Sequence, residues 1–157
     1  MVNTRRILLS DFDNAIFVAE FAELSRAFFV ESGAPGELHF GSFLTLWKKM
    51  VMDGTAVMFG QFKVYDGETI LVGVIGGILA PNMFTGGIIA SELFWYVLEE
   101  HRSRGSVLLK QFIDWGKTVG VDQLMMGHLH FAVSERVSAL YDRLGFKKLE
   151  TMYSLKF

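Results

Sequence analysis

The stretch from Thr69 to Ser91 carries no charged residue, and the way it is accommodated constrains the rest of the chain. It is long enough to cross a bilayer as one helix. Gly76-Gly77, Pro81-Asn82 and Gly86-Gly87 nevertheless divide it into short apolar runs. Glycine pairs and a proline break helices but suit turns, so two buried strands joined by a turn account for the pattern better. Strands that are apolar on both faces belong in the middle of a covered sheet. The expected fold is therefore mixed α/β: a largely antiparallel central sheet with helices on both faces. A length of 157 residues suits a single domain over 1–157 with a sizeable core.

The flanking patterns agree. Ile7 to Ser10 reads as a short first strand, and Asp11 or Asp13 can cap a helix carrying Ile16, Phe17, Ala19, Phe21, Leu24 and Phe28. After Gly33-Ala34-Pro35-Gly36, the residues Phe40, Phe43, Leu44, Trp47, Met50 and Val51 recur at helical spacing. Ala56 to Val64 and Thr69 to Leu79 are rich in strand formers, and Asp66-Gly67 between them is a strong hairpin signal. Ile88 to Leu98 follows as a third long strand, in which Phe94, Trp95 and Tyr96 are most simply core. A polar turn, Glu99 to Gly105, opens a helix with Leu108, Leu109, Phe112, Ile113 and Val119. Val121 to Leu129 reads as a strand, Val137, Leu140, Tyr141 and Leu144 as a helix stripe, and Lys147 to Lys156 as one or two closing strands. The late strand–helix–strand unit should be a right-handed parallel crossover.

Composition excludes several function classes. The chain has 15 Lys and Arg against 17 Asp and Glu, with the basic residues scattered as short pairs, so no nucleic-acid or anionic-membrane partner is expected. It has no cysteine, which removes disulfides, thiolate metal sites and a cysteine nucleophile, and fits a reducing cytoplasm. Asp11 and Asp13 cut short the apolar run after Arg5-Arg6, well before a signal-peptide core could form. His128 and His130 alternate along a predicted strand as two of the three ligands a metal site needs; with no third evident, no metal is expected. Gly116-Lys117-Thr118 looks like part of a nucleotide-binding loop, but Gln111 stands where that motif requires glycine.

Chemistry concentrates at Arg102 to Val107. A glycine at the mouth of a helix, after a buried strand, leaves backbone N–H groups pointing outward, and the helix dipole adds positive charge there. A phosphate is a natural ligand for such a turn, and Arg102 and Arg104 can add charge-assisted bonds. An ordinary helix start, with Ser103 as cap and solvated arginines, is the plainer reading of those residues alone.

Val97-Leu98-Glu99-Glu100-His101-Arg102-Ser103-Arg104-Gly105 resembles the end of the central strand and the acetyl-CoA pyrophosphate loop of GNAT acetyltransferases, whose pattern is Arg/Gln-x-x-Gly-x-Gly/Ala. Downstream, Ser138-Ala139-Leu140-Tyr141-Asp142-Arg143-Leu144-Gly145-Phe146 is similar to the family's late helix and its Tyr-x-x-Leu-Gly-Phe ending. The resemblance is clearest from Ile88 to Phe157 and architectural before that. It departs at Val107, where the family prefers Gly or Ala, and at Ser134, where many members have asparagine.

What the resemblance implies is a GNAT-like N-acetyltransferase with acetyl-CoA as cosubstrate. Amides of the Arg102, Ser103, Arg104, Gly105, Ser106 and Val107 turn would hold the pyrophosphate. Backbone near Val97 and Leu98 would bond the pantetheine arm, with Ser134 reaching a pantetheine amide. Tyr141 matches the position that protonates the departing thiolate; packing on its own helix stripe is the alternative. Glu92, a lone carboxylate in an apolar strand, is the candidate base, although a gapless count from Val97 puts the family's glutamate on Ser91. A strand bulge would restore the register, and a water chain is an equal alternative.

The acceptor would be an amine on a small molecule, peptide or protein, held by the first two helices and the loop from Ser32 to Phe40, and a homodimer is compatible with this reading. A fold-sharing binding protein without catalysis is the alternative that Val107 and Ser134 favour. An enzyme for a longer acyl-CoA is a third.

Overall fold

A computed structural model describes residues 2–128 and 134–155, with only the backbone of Ser134. Five strands form one sheet in the order β1-β2-β3-β4-β5. β1 (Val2–Arg6), β2 (Ala56–Tyr65), β3 (Glu68–Pro81) and β4 (Ile88–Val97) pair antiparallel in sequence, and β5 (Gln123–Met125) joins β4 parallel. Helices α1 (Ala15–Ser32) and α2 (Phe40–Met52) separate the first two strands, α3 (Ser106–Val119) links β4 to β5, and α4 (Ser134–Arg143) follows. The mixed, mostly antiparallel sheet expected from the uncharged stretch is present, with the parallel crossover at its end.

The hairpin between β2 and β3 forms as its sequence requires. Asp66 and Gly67 both have positive φ, 47° and 84°, the combination that turns a two-residue hairpin with the twist of its strands. The middle of β3 is shaped by glycine for another reason. A Cβ on Gly76 would lie 2.7 Å from the Trp47 ring, and one on Gly77 would meet Phe112 and stand 2.8 Å from the Ser91 carbonyl. Trp47 presses on the sheet from α2 and Phe112 from α3, so the bare glycines let both layers close on β3.

Two core clusters result. One is aromatic and couples Phe17, Phe21 and Leu24 of α1 and Trp47 of α2 to Met58, Val74 and Phe94 of the sheet. The other joins Leu108, Leu109 and Phe112 of α3 to Val57, Ile75, Ala90 and Val97, with Leu140, Tyr141 and Phe146 packed against it. No helix among the described residues is long and apolar enough to cross a membrane.

Several local expectations are corrected. The first strand is Val2–Arg6, and Ile7 is the buried residue that ends it, its N–H donating to Met58 O at 2.9 Å. β1 is an edge strand with a mostly polar sequence, so it carries no apolar alternation. The cap of α1 is Asn14, whose Oδ1 accepts from the Ile16 and Phe17 amides at 2.9 and 3.3 Å. Asp11 instead forms a bidentate pair with Arg5, and Asp13 pairs with Lys48. β5 covers only Gln123–Met125, and residues 147–155 form no strand. His130 lies outside the described residues.

Candidate active site

The site begins with a bulge in β4. Gly77 pairs with Glu92 and Gly76 with Phe94, so Leu93 is an extra residue with no partner on β3. Without it, Glu92 and Phe94 would share a face by strand alternation. With it, Phe94 joins the aromatic cluster under α1 and α2, while Glu92 is delivered to the side of α4. A bulge of the kind considered for this strand is present at Leu93; an added residue there does not by itself move a count from Val97 onto Glu92.

β4 and β5 separate at the same place. Their ladder runs Ile89↔Gln123, Ala90↔Leu124, Ser91↔Met125 and stops. The next link is made by a side chain: Glu92 Oε2 accepts the Gly127 amide at 2.8 Å. Tyr141 of α4 donates its hydroxyl to the Gly127 carbonyl at 2.7 Å. A Cβ on Gly127 would lie 3.1 Å from the Glu92 carboxylate, so a glycine gives the carboxylate room. One residue thereby brings the two sequence-predicted catalytic groups together. Burial pushes the Glu92 carboxyl up to about 7, against the opposing pull of the Gly127 amide. Burial also raises the Tyr141 phenol above its ordinary value, and the Glu92 charge adds to it.

Beyond the parting, one edge of β4 is open. The Leu98 amide donates to Val72 O of β3 at 3.0 Å. Bonding direction alternates along an antiparallel strand, so Tyr96 and Phe94 also face β3, while Trp95 and Val97 point their amides to the edge that β5 has left. Leu98, expected among the donors to the pantetheine arm, is therefore committed to the sheet. The Trp95 indole Nε1 is buried and meets no acceptor among the described residues, an arrangement that is costly for a donor unless a ligand or water completes it.

A cleft of about 810 Å³ occupies the parting. Phe28, Glu31 and Ser32 of α1 line it from one face of the sheet and Val137, Leu140 and Tyr141 of α4 from the other, so it reaches both sides. Glu92, Val97, Arg102, Ser103, Gly105 and Ser106 also border it. Leu98, Arg104 and Val107 do not, and the Ser134 side chain lies outside the described residues.

The turn before α3 differs from its sequence reading in detail. Glu99–Arg104 is a 3₁₀ helix, the cap of α3 is Gly105, and no side chain caps it, so Ser103 does not play that part. The Gly105 amide donates to Arg102 O at 3.1 Å and is not free for a phosphate. Ser106 and Val107 occupy the first turn of α3, whose amides the helix leaves unpaired. Arg102 is turned away from that helix end: its Nη2 holds the Glu31 carboxylate and its Nε donates to Val97 O at 3.1 Å. Among the described residues no cluster of His, Asp and Glu could hold a metal ion.

Arg136 and Arg143 of α4 border the cleft as well; their spacing through Leu140 puts them on one helix face, a pattern the sequence displays. Gly127 and Glu31 carried no such signal. The donor set suits acetyl-CoA in kind: an open strand edge and an orphaned indole for amide and thioester carbonyls, and a helix N-terminus on a cleft that Arg136 and Arg143 also border for phosphates.

No curated protein matches the chain significantly. Solved structures match in fold. A ribosomal-protein-alanine N-acetyltransferase of Brucella melitensis is 21% identical with a TM-score of 0.69, over 99% of each chain. A glucosamine-6-phosphate N-acetyltransferase of Arabidopsis thaliana is 14% identical with a TM-score of 0.69, over 100% of this chain and 99% of that one. A predicted acetyltransferase of Clostridium acetobutylicum, solved with acetyl-CoA, is 12% identical with a TM-score of 0.70, over 99% of this chain and 96% of that one. At these identities the likeness speaks for the fold. The sequence profile of the acetyltransferase (GNAT) family matches residues 18–146, most of the chain and all of the parted strands, the turn and α4. The chain belongs to the GNAT acetyltransferase family.

Proposed function

We propose that the protein transfers an acetyl group from acetyl-CoA to an amine by direct attack on the thioester. The observation that carries this reading is the meeting of Glu92 and Tyr141 at Gly127, where β4 and β5 part. Glu92 takes the proton of the incoming ammonium. A carboxyl at about 7 is half ionised at neutral pH, which suits a general base. The amine nitrogen bonds to the acyl carbon, the carbon–sulfur bond breaks, and Tyr141 supplies a proton to the leaving sulfur before solvent resets both groups. The raised phenol pKa keeps Tyr141 protonated at neutral pH, and it also makes the phenol a weaker acid than the departing thiol, so this transfer works against the pKa difference. The amides of Trp95 and Val97 on the open edge of β4 hold the pantetheine arm and face the developing oxyanion, a large catalytic contribution when such donors are fixed in advance. The first-turn amides of Ser106 and Val107, with Arg136 and Arg143 of α4, take the phosphates.

The absence of catalysis is the second reading, and the engaged Gly105 amide together with Val107 favours it. Thermal unfolding with and without excess acetyl-CoA begins the test. Ligand at a hundred times its dissociation constant should add about 2.7 kcal/mol, a rise of roughly 5–10 °C, which free CoA should partly reproduce and adenosine should not. An amine panel with acetyl-CoA then separates the readings. Transfer to any amine excludes the binding protein, whereas a stabilised protein that acetylates none of them removes the enzyme.

A further inference from the structure

Glu31 lies near the C-terminal end of α1, far in sequence from the phosphate turn, yet the two are tied together. Its carboxylate receives Arg102 Nη2 at 2.8 and 2.5 Å and the Tyr96 hydroxyl at 3.0 Å. Arg102 Nε donates to Val97 O at 3.1 Å, and its guanidinium sits 5.5 Å from the Tyr96 ring centre. The side chains of Arg102 and Glu31 are 29% and 35% exposed, so the group is a half-sheltered network joining α1, β4 and the 3₁₀ turn. Networks of this kind hold geometry better than isolated surface pairs.

What they hold is the end of β4. Val97 is the last strand residue whose amide faces the open edge, and its carbonyl is bonded to Arg102. The same arginine lies within the 3₁₀ turn, and its own carbonyl accepts the Gly105 amide at the start of α3. Fixing one guanidinium therefore fixes the last peptide of the strand and the entry to the helix together. An arginine neutralised by Glu31 and committed to Val97 is also poorly disposed to bind a phosphate.

Building on the reading that this cleft takes acetyl-CoA, we infer that Glu31 is a positioning residue for the acyl donor: it holds Arg102 on the Val97 carbonyl and so sets the strand end and the turn to which the donor binds. Arg102 is then part of the scaffold of the site instead of a phosphate ligand.

Isothermal titration of the full chain with acetyl-CoA, alongside unliganded Tm, tests this on Glu31→Gln, Arg102→Gln and the double variant. Expected is a roughly tenfold weaker Kd for Glu31→Gln, within the coupling seen between residues that share a contact, with no further loss when it is added to Arg102→Gln. Glu31→Asp, which keeps the charge, should recover part of the affinity and provides the comparison should Glu31→Gln fold poorly. An unchanged Kd with a lowered Tm would make Glu31 merely structural and overturn the inference. Tighter binding by Glu31→Gln would overturn it too, because Glu31 would then be withholding a phosphate ligand. If the unaltered protein does not bind acetyl-CoA, the functional reading falls and the inference with it; if it binds and Glu31→Gln binds equally well, only the inference falls.

Discussion

The two faces of the sheet are built on different terms. Under α1 and α2, rings interlock: Phe21 lies 5.8 Å from Phe40, 5.6 Å from Phe43 and 6.1 Å from Phe94, and Trp47 packs on Phe94 at 5.6 Å. Every one of those groups is apolar or nearly so. Under α3 and α4, aliphatic packing around Leu108 and Leu109 gives way to Glu92, Tyr141 and a Trp95 indole without an acceptor. The Gln61 amide is likewise fully buried and unpartnered among the described residues. Leu93 separates the two regimes, since its bulge assigns Phe94 to one face and Glu92 to the other. The contrast teaches a division of labour: the aromatic face is closed by interlocked apolar rings, and the opposite face gives up part of its apolar packing to the polar cleft where β4 and β5 part.

The comparison breaks most visibly in the aromatic cluster. Phe21→Ala removes a fully buried ring and should cost about 3–5 kcal/mol of stability, measured by denaturant unfolding. If the loss is under about 1 kcal/mol, the interlocked rings do not close that face. On the other face, Glu92→Gln should lower acetyl transfer by about 10²–10⁴-fold and flatten the rise of kcat/KM with pH near the Glu92 value of about 7. A persisting limb at that pH would assign the base to water.

The same residue sharpens the contrast through stability. Its folded pKa of about 7 lies above the ordinary 4.5, so between those values the folded state holds more protons than the unfolded one. Stability should therefore fall as pH rises from about 4.5 to about 7, by up to roughly 3 kcal/mol, and Glu92→Gln should abolish that slope. A glutamate that costs nothing on ionisation would show no slope in the unaltered protein.

Smaller effects follow at the rim. Tyr141→Phe should reduce turnover by about 10–100-fold with acetyl-CoA affinity nearly intact, and unchanged turnover across pH would leave the phenol a packing residue. Val107, 43% exposed in the first turn of α3, places a branched side chain beside the unpaired amides there. Val107→Ala should tighten acetyl-CoA by a few-fold, about 1 kcal/mol or less, in the same titration. No change would show that its methyl groups do not meet the ligand.

Much of this was legible without coordinates because it depends on neighbours in the chain. Asp66-Gly67 needs positive φ at two adjacent positions, and the residue types announce it. Gly76-Gly77 and Pro81 divide an uncharged run into strands. Gly105 with its arginines and Tyr141 before Leu144-Gly145-Phe146 mark the late crossover of the family. Glu92 was a candidate because a lone carboxylate in an apolar strand needs a reason to be there.

What the tertiary structure decided was settled by groups far apart. Nothing local states that Leu93 is the extra residue: the bulge falls opposite Gly76-Gly77, where β3 closes against Trp47 on one side and Phe112 on the other. Asn14 prevailed over Asp11 and Asp13 as the cap because Arg5 and Lys48 claim those carboxylates. Arg102 was read as a phosphate ligand from its place in the turn, and Glu31, 71 positions away, gives it another occupation. Sequence by itself determined where the long central strands, their turns and the helices lie, since backbone preferences act over a few residues; it did not place the short edge strand β1 or the end of the chain. Which face a side chain reaches, and which partner it meets there, depended on contacts that exist only after the chain has folded.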